Sequence, residues 1–157
     1  MKELVEILTK QKKTISTMES CTGGGVANAV TNIEGSSDIL KFSAVTYSNE
    51  FKIKMGVNIE TIDKYSVYSM EVAQEMAYNI SLFTYSNYGI GITGKLNRID
   101  KNNPYGSDNI VFISIYDRDS DKYYSLKIEA IKGNREENKA LIIDTVKDKL
   151  LSIINKL

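Results

Sequence analysis

Thr17-Met18-Glu19-Ser20-Cys21-Thr22-Gly23-Gly24-Gly25 joins a short β-prone run, Thr14 to Met18, to a small-residue helical pattern at Val26, Ala27, Ala29 and Val30. A strand that ends on a hydroxyl residue and enters a helix through glycines crowds backbone N–H groups at one point, where the helix adds its positive end. Such a turn can hold a phosphate or the oxyanion of an acyl transfer. Ser20 and the sole cysteine, Cys21, sit at that point, with Thr22, Gly23 and Gly24 beside them. Three consecutive glycines are unfavourable in a helix and imply a need for bare backbone.

Outward from this turn, helices and strands alternate. Leu4, Val5 and Leu8 mark an amphipathic helix over residues 2–11. The helix after the glycines runs to about Ile33, where Glu34-Gly35-Ser36-Ser37-Asp38 breaks it, and Ile39 to Tyr47 reads as a second strand. Ser48 and Asn49 cap a short helix, Glu50 to Met55, closed by Gly56. Residues 57–68 read as a connector with a single helical turn. Ser69 then caps a helix with Val72, Ala73, Met76, Ala77 and Ile80 on its buried side. Tyr88 to Thr93 is a third strand, whose glycines imply close approach of a neighbour. Residues 94–108 form one long loop, Ile110–Tyr116 and Tyr123–Ala130 a hairpin, and Glu136 onward a helix with Ile143, Val146, Leu150, Ile153 and Leu157 inward. The expected fold is a three-layer α/β/α sandwich on a mixed sheet, as one domain over residues 1–157. Ligands of such sheets gather where strands end and helices begin, and Ser20, Tyr47 and Thr93 all lie at expected strand ends.

Composition narrows the chemistry. With 42% hydrophobic and 25% charged residues the chain is of ordinary globular type. Its 20 basic and 20 acidic side chains cancel, leaving no footprint for nucleic acid or an acidic membrane. No apolar run approaches the ~18 residues of a membrane span, and the charged N-terminus does not read as a signal peptide. One cysteine makes no internal disulfide, which fits a cytoplasmic protein. The chain has no histidine, which removes Ser-His-Asp and Cys-His catalysis and the commonest zinc ligand. A nucleophile here needs lysine, tyrosine, a carboxylate or the backbone field for activation.

Thr46-Tyr47-Ser48-Asn49-Glu50-Phe51-Lys52 offers such groups. If both strands end on one edge of the sheet, Tyr47 and Lys52 reach Ser20. A free lysine titrates near ~10.4 and must fall to ~7–8 to serve as a base at neutral pH. On composition alone the more ordinary expectation is a core Tyr47 and a solvated Lys52. Cys21 is either a thiol nucleophile at a helix N-terminus or a buried packing residue. Arg135, in Gly133-Asn134-Arg135, either grips a phosphate or carboxylate or is an exposed turn charge. Asp117, Asp119 and Asp121 imitate a calcium loop. However, Lys122 and Ile128 stand where that loop needs glycine and glutamate, so a hairpin turn is expected and no metal.

In one order the chain carries Glu19-Ser20-Cys21-Thr22-Gly23-Gly24, Gly35-Ser36-Ser37, Thr46 to Lys52, Gly56-Val57, Gly91-Ile92-Thr93-Gly94 and Gly133-Asn134-Arg135. That series resembles the CinA C-terminal domain family, whose stand-alone members include nicotinamide mononucleotide deamidases. The resemblance implies an α/β fold and hydrolysis of the nicotinamide carboxamide to nicotinate mononucleotide and ammonia. It matches Ser20 to the nucleophile and Tyr47 and Lys52 to its activating pair. It also matches Thr93 and Arg135 to further active-site positions and Ser37 to a ligand contact, with Cys21 to Gly24 around the substrate. No cofactor is implied. The partner is a small-molecule nucleotide, with self-association left open. Three departures stand out: Lys95 to Asn103 replaces a glycine- and proline-rich loop, Ser43-Ala44 replaces two glycines, and Tyr68 replaces a small aliphatic. They motivate an alternative, a catalytically degenerate nucleotide- or phosphate-binding protein of the same fold.

Overall fold

The computed structural model describes residues 1–98, 101–106 and 108–155. Along the chain run α1 (Lys2–Gln11), β1 (Ile15–Glu19), α2 (Gly25–Thr31), β2 (Leu40–Val45), α3 (Asn49–Lys54), α4 (Ile59–Tyr65), α5 (Met70–Thr84), β3 (Tyr88–Gly94), β4 (Ile110–Asp117), β5 (Lys122–Glu129) and α6 (Arg135–Ile154). The sheet order is β2-β1-β3-β4-β5. β2, β1 and β3 are parallel, while β4 and β5 are antiparallel, so the sheet is mixed.

Strand alternation sorts the layers. Ile15 of β1 and Ile90 and Ile92 of β3 face a cluster with Leu4 and Leu8 of α1, Val26 and Val30 of α2, and Ile142, Val146 and Leu150 of α6. Met18 points the other way, into a cluster with Val72, Met76 and Ile80 of α5 and Val57 and Val67 of the flanking connectors. Helices thus cover both faces, the expected three-layer sandwich. On β3 the α5 side is glycine. A side-chain carbon at Gly91 would lie 2.2 Å from Ala73 O and one at Gly89 2.0 Å from Ala77 O, so α5 rests directly on the strand backbone.

Parallel pairing puts three strand ends on one edge. Glu19 pairs with Val45 of β2 and with Ile92 of β3, so Ser20, Thr46 and Lys95 all follow at that edge. The 3-10 turn Ser36–Asp38 precedes β2, whose Leu40 pairs with Ile15 at the far edge.

Two details differ from expectation. The 57–68 connector holds a seven-residue helix, α4, capped by the Asn58 side chain. On α6 it is Ile142 that enters the core, with Ile143 half-buried beside the glycine turn; Leu157, expected inward, lies outside the described residues. The hairpin turn at Asp117–Asp121 bonds to itself: Asp117 accepts from Asp119 N and Ser120 Oγ, and Asp121 from Tyr116 Oη. No helix among the described residues is long and apolar enough to cross a membrane.

The close approach of α5 makes a test. Gly91→Ala should lower unfolding free energy by about 2 kcal/mol or more through overpacking, read as a lower denaturant midpoint at unchanged slope. Gly133→Ala, where the nearest atom to an added carbon is 3.9 Å away, should leave the midpoint in place.

Candidate active site

The turn after β1 is built around Glu19. Alternation puts its side chain on the face covered by α2, where it is 0% exposed. Its Oε2 accepts from Thr22 Oγ1 at 2.6 Å and Val26 N at 3.1 Å, and its Oε1 from Ala27 N at 3.0 Å and Thr17 Oγ1 at 3.2 Å. The N-cap residue of α2, Gly24, supplies no side-chain cap. Glu19, reaching in from the strand, satisfies the helix amides and complements their positive end. The helix N-terminus expected to meet a ligand is therefore occupied by the protein's own carboxylate. Thr22, expected beside substrate, is part of the same clasp.

The glycines have distinct reasons. Gly23 and Gly24 have φ of +63° and +87°, which favours glycine. At Gly25 a side-chain carbon would lie 2.7 Å from Ile143 Cδ1, so it is small because α6 packs on it. Within the turn Gly23 N donates to Ser20 O and Gly25 N to Thr22 O. That leaves the N–H groups of Cys21, Thr22 and Gly24 with no backbone acceptor among the described residues.

Ser20 lies 6% exposed at the sheet edge, and Lys52 comes to it. Ser48 caps α3 by accepting from Phe51 N, which aims the first turn of that helix at the strand ends. Lys52 is 2% exposed; its Nζ donates to Ser20 Oγ at 3.1 Å and to Thr46 O at 2.6 Å. Tyr47 is 65% exposed instead, and its hydroxyl accepts from Arg135 Nη2 at 3.0 Å. Arg135 Nη1 also donates to Leu96 O at 2.5 Å. The ordinary expectation for Tyr47 and Lys52 is inverted: the lysine is buried and the tyrosine is out. The four residues divide into an inner Ser20–Lys52 pair and an outer Tyr47–Arg135 pair.

Cys21 is buried among the core side chains, and that burial pushes its thiol up to about 12, against the opposing pull of the Arg135 charge. Its thiolate, the reactive form, is scarce at neutral pH.

Ser20, Cys21, Tyr47 and Arg135 line a cleft of about 750 Å³. Its far wall is the loop after β3. Lys95, the first residue of the replaced loop, turns inward: its Nζ donates to Gly106 O at 3.2 Å and Pro104 O at 3.4 Å, lies 3.5 Å from Asp108, and stands over the Tyr68 ring. Asn49 Nδ2 at the start of α3 donates to Asn103 Oδ1 at 2.9 Å, tying the loop across the cleft. Ile99 and Asp100 of this loop lie outside the described residues. Two expected site residues sit elsewhere. Ser37 is exposed in the 3-10 turn at the opposite edge of the sheet. Thr93 faces α5, and its Oγ1 donates to Val67 O at 2.9 Å, which ties it to the connector before α5. Sequence reasoning missed Glu19, Lys95 and Asn138, the last buried with Nδ2 donating to Asn97 Oδ1 at 2.8 Å. For Glu19 the signal was present in its odd-numbered register with Ile15.

The model of the family described as the CinA C-terminal domain matches residues 1–154. A CinA-like protein of Endomicrobium trichonymphae is 36% identical over 147 residues, 92% of this chain and 33% of that protein. A CinA-like protein of Flavobacterium psychrophilum is 43% identical over 115 residues, 71% of this chain and 27% of its own length. The chain spans about a quarter to a third of these curated relatives. A CinA superfamily protein from Klebsiella pneumoniae 700603 superposes with a TM-score of 0.90 at 21% identity, over 99% of this chain and 96% of that one. A competence/damage inducible protein from Agrobacterium tumefaciens has a TM-score of 0.80 at 27% identity, over 98% and 93%.

Two outcomes follow from the turn. Because its thiol is raised, Cys21 should resist disulfide-exchange reagents at pH 8 in the folded protein and react once denaturant is added. Glu19→Ala, which strips the cap from α2 and leaves buried donors unmet, should lower stability by about 2–4 kcal/mol, measured by denaturant unfolding.

Proposed function

The chain belongs to the CinA C-terminal domain family, and on that premise we propose that it is an amidohydrolase. It hydrolyses the carboxamide of nicotinamide mononucleotide to nicotinate mononucleotide and ammonia, a step of pyridine-nucleotide salvage in the cytoplasm. The observation that carries this reading is the 3.1 Å approach of Lys52 Nζ to Ser20 Oγ at the floor of a cleft, in a chain without histidine.

In this mechanism Lys52 acts as a neutral amine. Two N–H groups and a lone pair let it donate to Thr46 O while it accepts the Ser20 proton, and removal from water favours the uncharged form of an amine. Ser20 Oγ attacks the carboxamide carbon as Lys52 takes the proton. The oxyanion rests on the turn N–H groups that the fold leaves open, those of Cys21, Thr22 and Gly24. Lys52 returns the proton to the amide nitrogen, the C–N bond breaks and ammonia leaves. Water then attacks the acyl-serine, Lys52 accepts its proton, and the carboxylate departs as Ser20 is reprotonated. No metal or cofactor enters these steps. Tyr47 orients Arg135 at the rim instead of relaying the proton. The thiol alternative at Cys21 is set aside because that sulfur stays protonated.

A second reading, a ligand-binding protein without turnover, draws on the replaced loop and on Arg135, two of whose nitrogens already serve Tyr47 and Leu96. Incubation of the purified protein with nicotinamide mononucleotide, followed by ammonia release, separates the two. Ammonia is the expected outcome, and stabilisation by the nucleotide without ammonia marks the second. Ser20→Ala and Lys52→Ala should each reduce turnover by about 10²–10⁴-fold with the fold intact, and Tyr47→Phe by much less. Undiminished turnover in Ser20→Ala overturns the mechanism.

A further inference from the structure

Among the described residues the charge of the cleft is one-sided. Arg98, Lys101 and Arg135 line it, and among the described residues no aspartate or glutamate does, in a chain whose formal charges cancel. The cations differ in their engagement. Arg135 bridges Tyr47 and the Leu96 carbonyl, and Lys95 is an internal strut. Arg98 and Lys101 are exposed, and among the described residues neither has a carboxylate within ion-pair distance.

The loop that carries them is anchored on both sides. Before Arg98, Asn97 donates its N–H to Asn109 Oδ1 at 2.7 Å and accepts from Asn138 Nδ2. After Lys101, Asn103 is tied to Asn49. Cations that line one concave wall concentrate positive potential there, which draws an anion in and speeds its arrival. A guanidinium and an ammonium lining one cleft suit a phosphate dianion: the arginine supplies a two-pronged contact and the lysine a point charge. A single planar carboxylate is satisfied by one arginine alone.

We propose that Arg98 and Lys101 form a clamp for the phosphate ester of the ligand, set apart from the carboxamide end at Ser20. The assignment rests on Ser20–Lys52 as the reacting pair. It makes these two residues specificity determinants.

The test compares wild type with R98Q/K101Q by titration calorimetry with nicotinamide mononucleotide and by thermal stabilisation with inorganic phosphate. The double variant should bind the mononucleotide at least about tenfold more weakly, lose the phosphate-dependent stabilisation, and keep its ligand-free melting temperature. The preference in kcat/KM for the mononucleotide over its riboside should fall in parallel. A control, K2Q/K10Q on α1, changes the net charge equally at a distance and should leave binding as it was. Unchanged binding in R98Q/K101Q, or an equal loss in the control, overturns the clamp. Mononucleotide binding that depends on Arg98 and Lys101 without ammonia release keeps the clamp and removes the hydrolase reading. Ammonia release indifferent to both residues does the reverse.

Discussion

A buried carboxylate at the start of a two-turn helix holds this site together. α2 is too short to be stable by itself, and its glycine entry supplies no cap. Glu19 provides that cap from the preceding strand, with both oxygens bonded. The same four contacts fix the residues between strand and helix, so Ser20 is displayed on a turn whose two ends are clasped to one side chain. A carboxylate without these partners would be expensive to bury; with the helix amides around it, it becomes the anion that the helix end attracts.

Convergence of Ser20 and Lys52 then follows from topology. The parallel β2-β1-β3 arrangement brings strand ends to one edge irrespective of the sequence distance between them. Ser48 caps α3 so that the lysine's stem runs inward over the strand ends, and burial of that stem excludes water from the amine. Thr46 contributes its backbone carbonyl alone to the lysine, a contact indifferent to its side chain.

Much of this was legible because it depends on local pattern. Apolar periodicity located the helices, the capping serines at 48 and 69 marked helix starts that the structure also has, and the glycines of β3 foretold the closeness of α5. What escaped depends on parity and on edges. Thr93 ends a strand at the right edge but sits in register with Gly89 and Gly91, on the α5 face, so its hydroxyl meets Val67 O. Ser37 belongs to a well-ordered series of motifs, yet motif order does not say which edge of a sheet a turn occupies. Lys95 stood out only as the start of the replaced loop, because nothing adjacent in sequence announces Asp108 and two carbonyls thirteen or fewer positions later. Glu19 was hidden by proximity to a serine that drew attention to itself.

The separation of Tyr47 from the Ser20–Lys52 pair bears on how the site divides its work. Ser20 and Lys52 are buried and preset, joined by a hydrogen bond and walled by strand ends. Tyr47 and Arg135 are at the rim, and through Leu96 O they connect α6 to the loop that closes the far wall. On the proposed mechanism, the desolvated amine is thereby kept apart from the solvent-accessible cations at the rim. The contacts that hold Ser20 and Glu19 come from the strand ends and α2: Lys52 Nζ donates to Ser20 Oγ and Thr46 O, and Glu19 accepts from Thr22, Val26 and Ala27. The far wall, where Lys95 to Asn103 departs from the glycine- and proline-rich pattern, and the Ser20–Lys52 pair thus belong to different segments of the fold.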